Sequence, residues 1–187
     1  MPLKKLNTLG TKLLYKNPYW EYKLDSYMLP DGKAGEYHYV HSRGSAMVVP
    51  IDHDGKIILV KQFRYLWQRE SIEFPSGGIK DKDLLITAKN EFAEEANLAA
   101  VDWKLVGEYN PFNGVTDEVA TVFIATDLSH ANKEKDASEE FELIKMTASE
   151  LQAVIDKGEI WDGMTLAAWT LAKPAVLDYL GKIEREK

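Results

Sequence analysis

Three carboxylates stand close together near the middle of the chain, in the stretch NEFAEEANL at positions 90–98. Glu91, Glu94 and Glu95 are three and four residues apart or adjacent, so a helix brings them to one side. Like charges at this spacing cost about 0.2–0.5 kcal/mol per pair, and a solvated acidic face and a metal-binding face are both open interpretations. Clustered carboxylate oxygens are the ligands that Mg²⁺ takes, and a divalent cation would remove the repulsion.

The segment has the pattern of an amphipathic helix from about Asp83 to Asn97. The three glutamates flank an apolar stripe that repeats at roughly 100° per residue. The members of the stripe are Leu85, Ala88, Phe92, Ala96 and Ala99. The stretch Pro75-Ser76-Gly77-Gly78 precedes the helix and is predicted to be a loop. Such a loop can bring backbone carbonyls close to the helix, which favours a metal site.

Most elements around this helix are predicted to be strands. The first 45 residues are predicted to form short strands, with a hairpin turning at Pro30-Asp31-Gly32. A second hairpin is predicted at Asp52-His53-Asp54-Gly55, and later strands in ESIEF, WKLVGEY, EVATVFIATDL and FELIKM. After the polar loop SHANKEKDASEE, Thr147 caps one helix, and a last helix carries Pro174 at a kink. Strands mixed with a few helices predict an α+β fold, an α/β/α sandwich with a mixed sheet.

Composition narrows the class of protein. The chain has 187 residues, a net charge of -7 and no cysteine. The length suits one domain, or one domain with a small appendage. The negative charge argues against a nucleic-acid partner, since phosphate must be neutralised by basic side chains. The absence of cysteine excludes disulfides and thiolate metal sites. No apolar run predicts a membrane span or a signal peptide, so we expect a cytoplasmic protein without a membrane partner.

The acidic helix and its preceding loop resemble the Nudix box, G-x5-E-x7-R-E-U-x-E-E-x-G-U with U aliphatic. Glu91, Glu94 and Glu95 stand at the E, E and E of its helical part. Asn90 replaces the box arginine, which pairs with a metal-binding glutamate, and Asn97 replaces the glycine that ends the helix. The loop is also one residue short if Gly77 is the box glycine and two if it is Gly78. The loop glutamate has no clear counterpart, although Asp81 and Asp83 lie nearby.

Sequence around the box is similar to the ADP-ribose pyrophosphatase branch of Nudix enzymes. LVKQFR followed by EFPSGG matches the strands that lead into the box, and NPFNGVTDEVATVFIATDL matches the loop and strand after it. The resemblance covers nearly the whole chain. It implies a homodimer in which residues 1–44 form a β segment for dimerisation and residues 45–187 form the catalytic domain. Exchange of the β segment between subunits is an open alternative.

The resemblance also implies roles for individual residues. The metal ligands, for Mg²⁺ or Mn²⁺, would be Glu91, Glu94, Glu95 and the carbonyl of Ser76. The catalytic loop glutamate would be Glu140, with Glu139 as the alternative. Residues expected at the substrate are Arg64 on a phosphate or the distal sugar, Trp20 and one of Tyr37 or Tyr39 on the base, and Glu73 and Glu118 near the pocket. Plain salt bridges, surface positions and core packing are the other readings of these side chains.

The implied activity is metal-dependent hydrolysis of the diphosphate of a nucleoside-diphosphate sugar, with ADP-ribose giving AMP and ribose 5-phosphate as the leading case. GDP-mannose or a broad range of nucleotide sugars is the alternative within the same chemistry. A nucleotide-sugar sensor without catalysis is the alternative of another class. The retained trio of Glu91, Glu94 and Glu95 favours the enzyme, since a sensor needs no metal ligands.

Overall fold

The structure is a computed structural model that describes residues 3–80, 83–131 and 140–186. The chain divides into two compact units. One unit is Met1–Gly44 with Asn110–Val119, and the other is Ser45–Tyr109 with Ala120–Lys187. Among the described residues, no helix is long and apolar enough to cross a membrane.

The first unit is an antiparallel sheet of three strands in the order β1-β2-β3. These strands are β1 (Asn7–Lys16), β2 (Glu21–Met28) and β3 (Ala34–His41). The predicted hairpin between β2 and β3 is confirmed, and Gly32 takes a left-handed φ of 86° in its turn. β1 is longer than the short strand that we expected, and all ten of its residues are exposed.

The second unit holds two sheets and three helices within the described ranges. In chain order, its elements are β4 (Ser45–Pro50), β5 (Ile57–Arg64), a 3-10 turn (Tyr65–Trp67), β6 (Arg69–Glu73), β7 (Ser76–Gly78), α1 (Leu84–Ala96), β8 (Leu98–Tyr109), β9 (Ala120–His130), β10 (Glu142–Met146), α2 (Ala148–Asp156) and α3 (Gly163–Glu186). One sheet has the order β7-β4-β9-β8 and the other β10-β5-β6. β4 is parallel to β9 and antiparallel to β7, which makes the four-stranded sheet mixed.

The four-stranded sheet of this unit is covered on both faces. Side chains alternate along β4, so Ala46 and Val48 pack with Phe92 of α1. Met47 and Val49 point the other way and join the cluster that includes residues of α2 and α3, such as Trp169. This alternation is the period of two expected for a strand buried on both faces. The predicted α+β class with helices on both sides of a mixed sheet is therefore confirmed.

Several local predictions were wrong. The turn after β4 forms, with Gly55 N–H donating to the carbonyl of Asp52 at 2.9 Å. Ile51 and Ile57 pair antiparallel across this turn, but β4 and β5 then continue into different sheets, because β4 finds its partners in β7 and β9. The predicted loop at 75–78 contains the short strand β7, and Ala99 lies in β8 instead of on the helix. α3 continues through Pro174, and the predicted kink there stays a prediction. In the predicted polar loop, residues 132–139 lie outside the described residues.

Candidate active site

Local signals place the acidic helix as predicted. The Asp83 side chain accepts hydrogen bonds from the backbone N–H groups of Leu85 and Ile86 and so caps the start of α1. Asn97 ends it in the left-handed conformation, with φ of 54°, where the box has glycine. Asp83, one of the two aspartates near the position of the loop glutamate, is thus engaged as a helix cap, and Asp81 lies outside the described residues.

Two of the three glutamates are buried. Glu91 and Glu95 are each 8% exposed, and the Glu94 side chain is about one-third exposed. Buried carboxylates need compensating hydrogen bonds or cations, because transfer out of water penalises the charged form. The partners of these carboxylates come from the segment between β6 and α1, which was expected to bring backbone carbonyls close to the helix.

Gly77 and Ser76 meet the two buried glutamates directly. A Cβ at Gly77 would lie 2.2 Å from the Cδ of Glu91, so any other residue here would force this carboxylate to move. A Cβ at Gly78 would meet nothing within 4 Å. The backbone N–H of Ser76 donates to Glu95 Oε2 at 3.0 Å. The strand β7 therefore holds both carboxylates against its backbone, and Gly77 is the position that requires glycine.

Lys80 supplies the positive charge that the sequence lacks at position 90. Its ammonium lies 3.3 Å from Glu91 Oε1 and 3.7 Å from Glu94 Oε2. The negative charge of Glu91, with that of Glu94, raises the pKa of Lys80 above its ordinary value. Asn90, which stands in place of the box arginine, is exposed. Glu95 is oriented instead by the hydrogen bond from the backbone N–H of Ser76. Sequence reasoning missed Lys80, and its place two residues after Gly78 was the available signal.

The donor set fits a hard divalent cation in its chemistry, since Glu91, Glu94 and Glu95 offer carboxylate oxygens from one stretch of α1. The arrangement is not preformed: among the described residues, no group of three or more acidic or histidine side chains is gathered closely enough to hold an ion. The partners of the three carboxylates explain this. Glu95 is turned to the backbone of Ser76, and Glu91 and Glu94 are turned to Lys80.

Arg64 and Glu73, expected to have separate roles, are paired with each other. Arg64 donates from Nε to Glu73 Oε1 at 2.7 Å and from Nη2 to Glu73 Oε2. Glu73 is 2% exposed, and Gln62 Nε2 also donates to it at 3.4 Å. Hydrogen bonds to Glu73 are the main cause of the raised pKa of Arg64, and the charges of Asp162 and Glu95 add to it. The bidentate pair fixes the guanidinium and, within the described part of the chain, leaves Nη1 for another acceptor.

Glu140 lines a cavity of about 440 Å³. The other lining residues are Lys61, Gln62, Phe63, Glu70, Phe141 and Glu142. This volume is within the about 300–1,000 Å³ of ordinary ligand pockets. The cavity adjoins the Arg64–Glu73 pair through Gln62, but the three glutamates of α1 are not among its lining residues. Glu139 lies outside the described residues.

The remaining predicted substrate residues belong to the first unit. Trp20 packs on Tyr15 with ring centroids 5.7 Å apart. Tyr37 donates its hydroxyl to the carbonyl of Gly114 at 2.8 Å. Burial, followed by the charge of Asp25, raises the pKa of Tyr39. The backbone carbonyl of Glu118 accepts a hydrogen bond from Asn110 Nδ2 at 2.9 Å, in the loop that closes this unit.

Comparisons with known proteins agree with this architecture. The ADP-ribose pyrophosphatase of Bacillus subtilis (strain 168) is 28% identical over 164 residues, which are 86% of this chain and 89% of that protein. The methanol dehydrogenase activator of Bacillus methanolicus is 26% identical over the same shares. The ADP-ribose pyrophosphatase of Mycobacterium tuberculosis is 24% identical over 86% of this chain and 79% of its own.

A solved structure described as an ADP compounds hydrolase superposes with a TM-score of 0.82 at 16% identity, covering 96% of this chain and 98% of the other. At this identity the likeness shows the fold. A model of the NUDIX domain matches residues 41–168, which is more than half of the chain and includes β4, the acidic helix and the first turns of α3. The chain therefore belongs to the NUDIX domain family.

Proposed function

We propose that this protein hydrolyses the diphosphate linkage of a nucleoside-diphosphate sugar, with ADP-ribose as the leading substrate and AMP and ribose 5-phosphate as the products. The observation that carries the proposal is the contact between β7 and α1. There a glycine backbone and an amide N–H hold two buried glutamates beside a third. Two relatives named ADP-ribose pyrophosphatase support the choice of ADP-ribose.

Glu91, Glu94 and Glu95, with the carbonyl of Ser76, would hold Mg²⁺ or Mn²⁺. When bound, such a cation supplies positive charge to the two phosphates and acidifies water. Binding requires Glu91 and Glu94 to exchange the ammonium of Lys80 for the cation. Glu95 already accepts a hydrogen bond from Ser76 N–H through its Oε2, which orients this carboxylate.

Other side chains would position the substrate and the water. Two phosphates repel an incoming nucleophile, so the chemistry depends on charge neutralisation and orientation. Arg64, held by Glu73, presents Nη1 to a phosphate oxygen in a fixed direction. Glu140, which lines the 440 Å³ cavity, would accept a proton from the attacking water, and Glu139 is the alternative for this role.

We further propose that the first unit makes a homodimer and supplies the residues that stack on the base. β1 is an edge strand whose exposed side chains include Leu9, Leu13 and Tyr15, at 55%, 50% and 57%. An exposed apolar edge strand favours association with another strand. Trp20, with Tyr37 or Tyr39, would stack on the base, each stack contributing about 1–3 kcal/mol.

The dimer has its own test. Leu13→Asp is expected to shift the protein from dimer to monomer in sedimentation velocity. Val101→Asp is the matched control, because Val101 is 70% exposed on β8 of the other unit. A wild-type protein that sediments as a monomer would contradict the dimer and the shared base site together.

A second candidate is a protein that binds a nucleotide sugar without cleaving it. One observation favours it: the ammonium of Lys80 already compensates Glu91 and Glu94, where catalysis needs a metal. A binding protein needs no metal exchange at this place. The two candidates differ in the product that forms with substrate and Mg²⁺ present.

The deciding experiment incubates the purified protein with Mg²⁺ and ADP-ribose, GDP-mannose and other nucleoside-diphosphate sugars, and measures release of the nucleoside monophosphate. Glu95→Gln runs beside it, with Glu184→Gln as a control at an exposed glutamate of α3. AMP from ADP-ribose, lost only in Glu95→Gln, supports the enzyme. More nucleoside monophosphate from GDP-mannose than from ADP-ribose would make GDP-mannose the preferred substrate of the same hydrolysis. Binding without product from any sugar supports the second candidate.

A further inference from the structure

The β5–β6 hairpin carries two arginines side by side. Arg64 and Arg69 are direct partners in the antiparallel register. Side chains of directly opposed residues lie on the same face of a sheet, and like charges in that position are destabilising. Neither residue is buried, so both guanidinium groups are within reach of a ligand from solvent. The arrangement becomes favourable when an anion binds between them.

The two arginines have different kinds of partner. Glu73 compensates Arg64 through two hydrogen bonds. Arg69 instead stacks on an aromatic ring, with its Cζ 3.8 Å from the ring centroid of Trp161 and 6.0 Å from that of Trp67. Among the described residues, no carboxylate lies within ion-pair distance of Arg69. A guanidinium held through its face keeps its in-plane N–H groups for another acceptor.

The aromatic support under Arg69 is itself fixed. Trp161 donates its Nε1–H to the backbone carbonyl of Glu70 at 3.1 Å. Trp67 meets Trp161 edge to face, with centroids 5.6 Å apart and planes at 61°. Trp67 is 66% exposed, so this support stays open on one side. The position of the Arg69 guanidinium is thus set before any ligand arrives, which reduces the entropy lost on binding.

The same face continues inward with polar groups. Ser71 and Glu73 follow Arg69 at alternate positions of β6, and Gln62 is the register partner of Ser71. Ser71 is 2% exposed, and its Oγ has no hydrogen-bond partner among the described residues. A buried hydroxyl without a partner is uncommon in native structures and marks a place for a water or a ligand atom. The face therefore still has a hydrogen bond to offer behind the two arginines.

We propose that Arg69, stacked on Trp161, is a second phosphate-binding arginine and that it receives the diphosphate of the substrate together with Arg64. The identity of the anion rests on the proposed function, whereas the paired arginines and the aromatic support are features of the hairpin. The charges of Asp162 and of Glu95, the latter in α1, contribute to the raised pKa of Arg64.

The test compares Arg69→Gln with Arg185→Gln, which removes the same charge from an exposed position on α3. KM and kcat for ADP-ribose with Mg²⁺ are measured first. Calorimetric titration with inorganic pyrophosphate, in EDTA at low ionic strength, then measures anion binding without turnover. Arg69→Gln is expected to raise KM and weaken pyrophosphate binding by about ten-fold each, as the loss of a charge-assisted hydrogen bond predicts, with kcat within about two-fold.

Two further variants separate binding from support of the fold. Arg69→Lys keeps the charge but loses the planar fork, and Trp161→Leu keeps the arginine but removes its support. Both are expected to have KM values between those of wild type and Arg69→Gln. If Arg69→Gln and Trp161→Leu lower the melting temperature while KM and pyrophosphate affinity match Arg185→Gln, Arg69 is only a structural brace and the proposal is wrong.

The outcome also separates this proposal from the proposed function. Wild-type turnover of ADP-ribose that is unaffected by Arg69→Gln contradicts the second arginine and leaves the hydrolase in place. Pyrophosphate binding that depends on Arg69, in a protein that cleaves no nucleotide sugar, supports the arginine pair and contradicts the hydrolase.

Discussion

Replacing Gly77 by alanine tests whether the backbone of β7 holds Glu91 in place. The new Cβ would lie 2.2 Å, 2.4 Å and 2.6 Å from the Cδ, Oε2 and Cγ of Glu91. Carbon contacts are favourable at about 3.5–4.0 Å, so each distance is short by about 1 Å or more. Glu91 is 8% exposed and has little room to move away.

The same substitution one residue later is the matched control. A Cβ at Gly78 meets nothing within 4 Å, and neither glycine has a left-handed φ. Gly78→Ala should therefore stabilise by about 0.4–1 kcal/mol through the unfolded state. Gly77→Ala should destabilise by about 1–3 kcal/mol, the usual cost of overpacking. Two identical changes at adjacent positions are thus expected to act in opposite directions.

Urea denaturation followed by tryptophan fluorescence, in EDTA, measures these free energies of unfolding. If the clash with Glu91 is the cause, the cost of Gly77→Ala should disappear in a Glu91→Ala background, a coupling of about 1–3 kcal/mol. Loss of activity should follow, by about 10–100-fold, because a displaced carboxylate holds a metal poorly. Equal stabilities for Gly77→Ala and Gly78→Ala, or an unchanged cost in the Glu91→Ala background, would refute the reasoning.

Three further expectations concern charge and capping. Lys80→Gln removes the ammonium that competes for the carboxylates. Without metal, it should lower the free energy of unfolding by less than about 1 kcal/mol. Calorimetry should find tighter Mg²⁺ binding, whereas weaker binding would show that Lys80 organises the site. Burial alone would raise the pKa of Asp52, but the hydrogen bond from Lys145 at 2.9 Å and two backbone N–H groups hold it below its ordinary value. The stability lost in Lys145→Gln should therefore be largest above the ordinary carboxyl pKa of about 4 and shrink as pH falls below it, measured by urea denaturation from pH 3 to 7; a constant difference would exclude this pair as its source. Thr147→Ala breaks the capping box of α2 and should cost about 1 kcal/mol by the same assay, with Thr147→Ser near wild type.

The sequence was sufficient where the interacting groups are near neighbours in the chain. The bounds of α1 follow from Asp83 and Asn97, and Thr147 begins α2 with a capping box, as its residue types predict. The helical period also placed Glu91 and Glu95 beside the apolar stripe, and both are buried. These results depend on hydrogen bonds and periodicities that span a few residues, which the order of residue types determines directly.

The pairing of strands could not be predicted from residues that are close in the chain. A turn signal at residues 52–55 predicted that β4 pairs with β5, yet β4 lies between β7 and β9. The turn does form, but which strand completes a ladder depends on every other strand that competes for the same edge. The three residues of β7 are a strand only because β4 offers them hydrogen-bonding groups.

The candidate site likewise combines features that the sequence predicted with contacts that it did not predict. Residue types and spacing alone predicted three glutamates on one side of a helix that follows a glycine stretch. The tertiary structure decided that Gly77 must be glycine, that Lys80 compensates Glu91 and Glu94, and that Arg69 rests on Trp161. These contacts join residues from 11 to 92 positions apart, and such distances close only when the sheets and helices pack. Local structure follows from the order of the residues, whereas contacts between residues distant in the chain depend on how the sheets and helices pack.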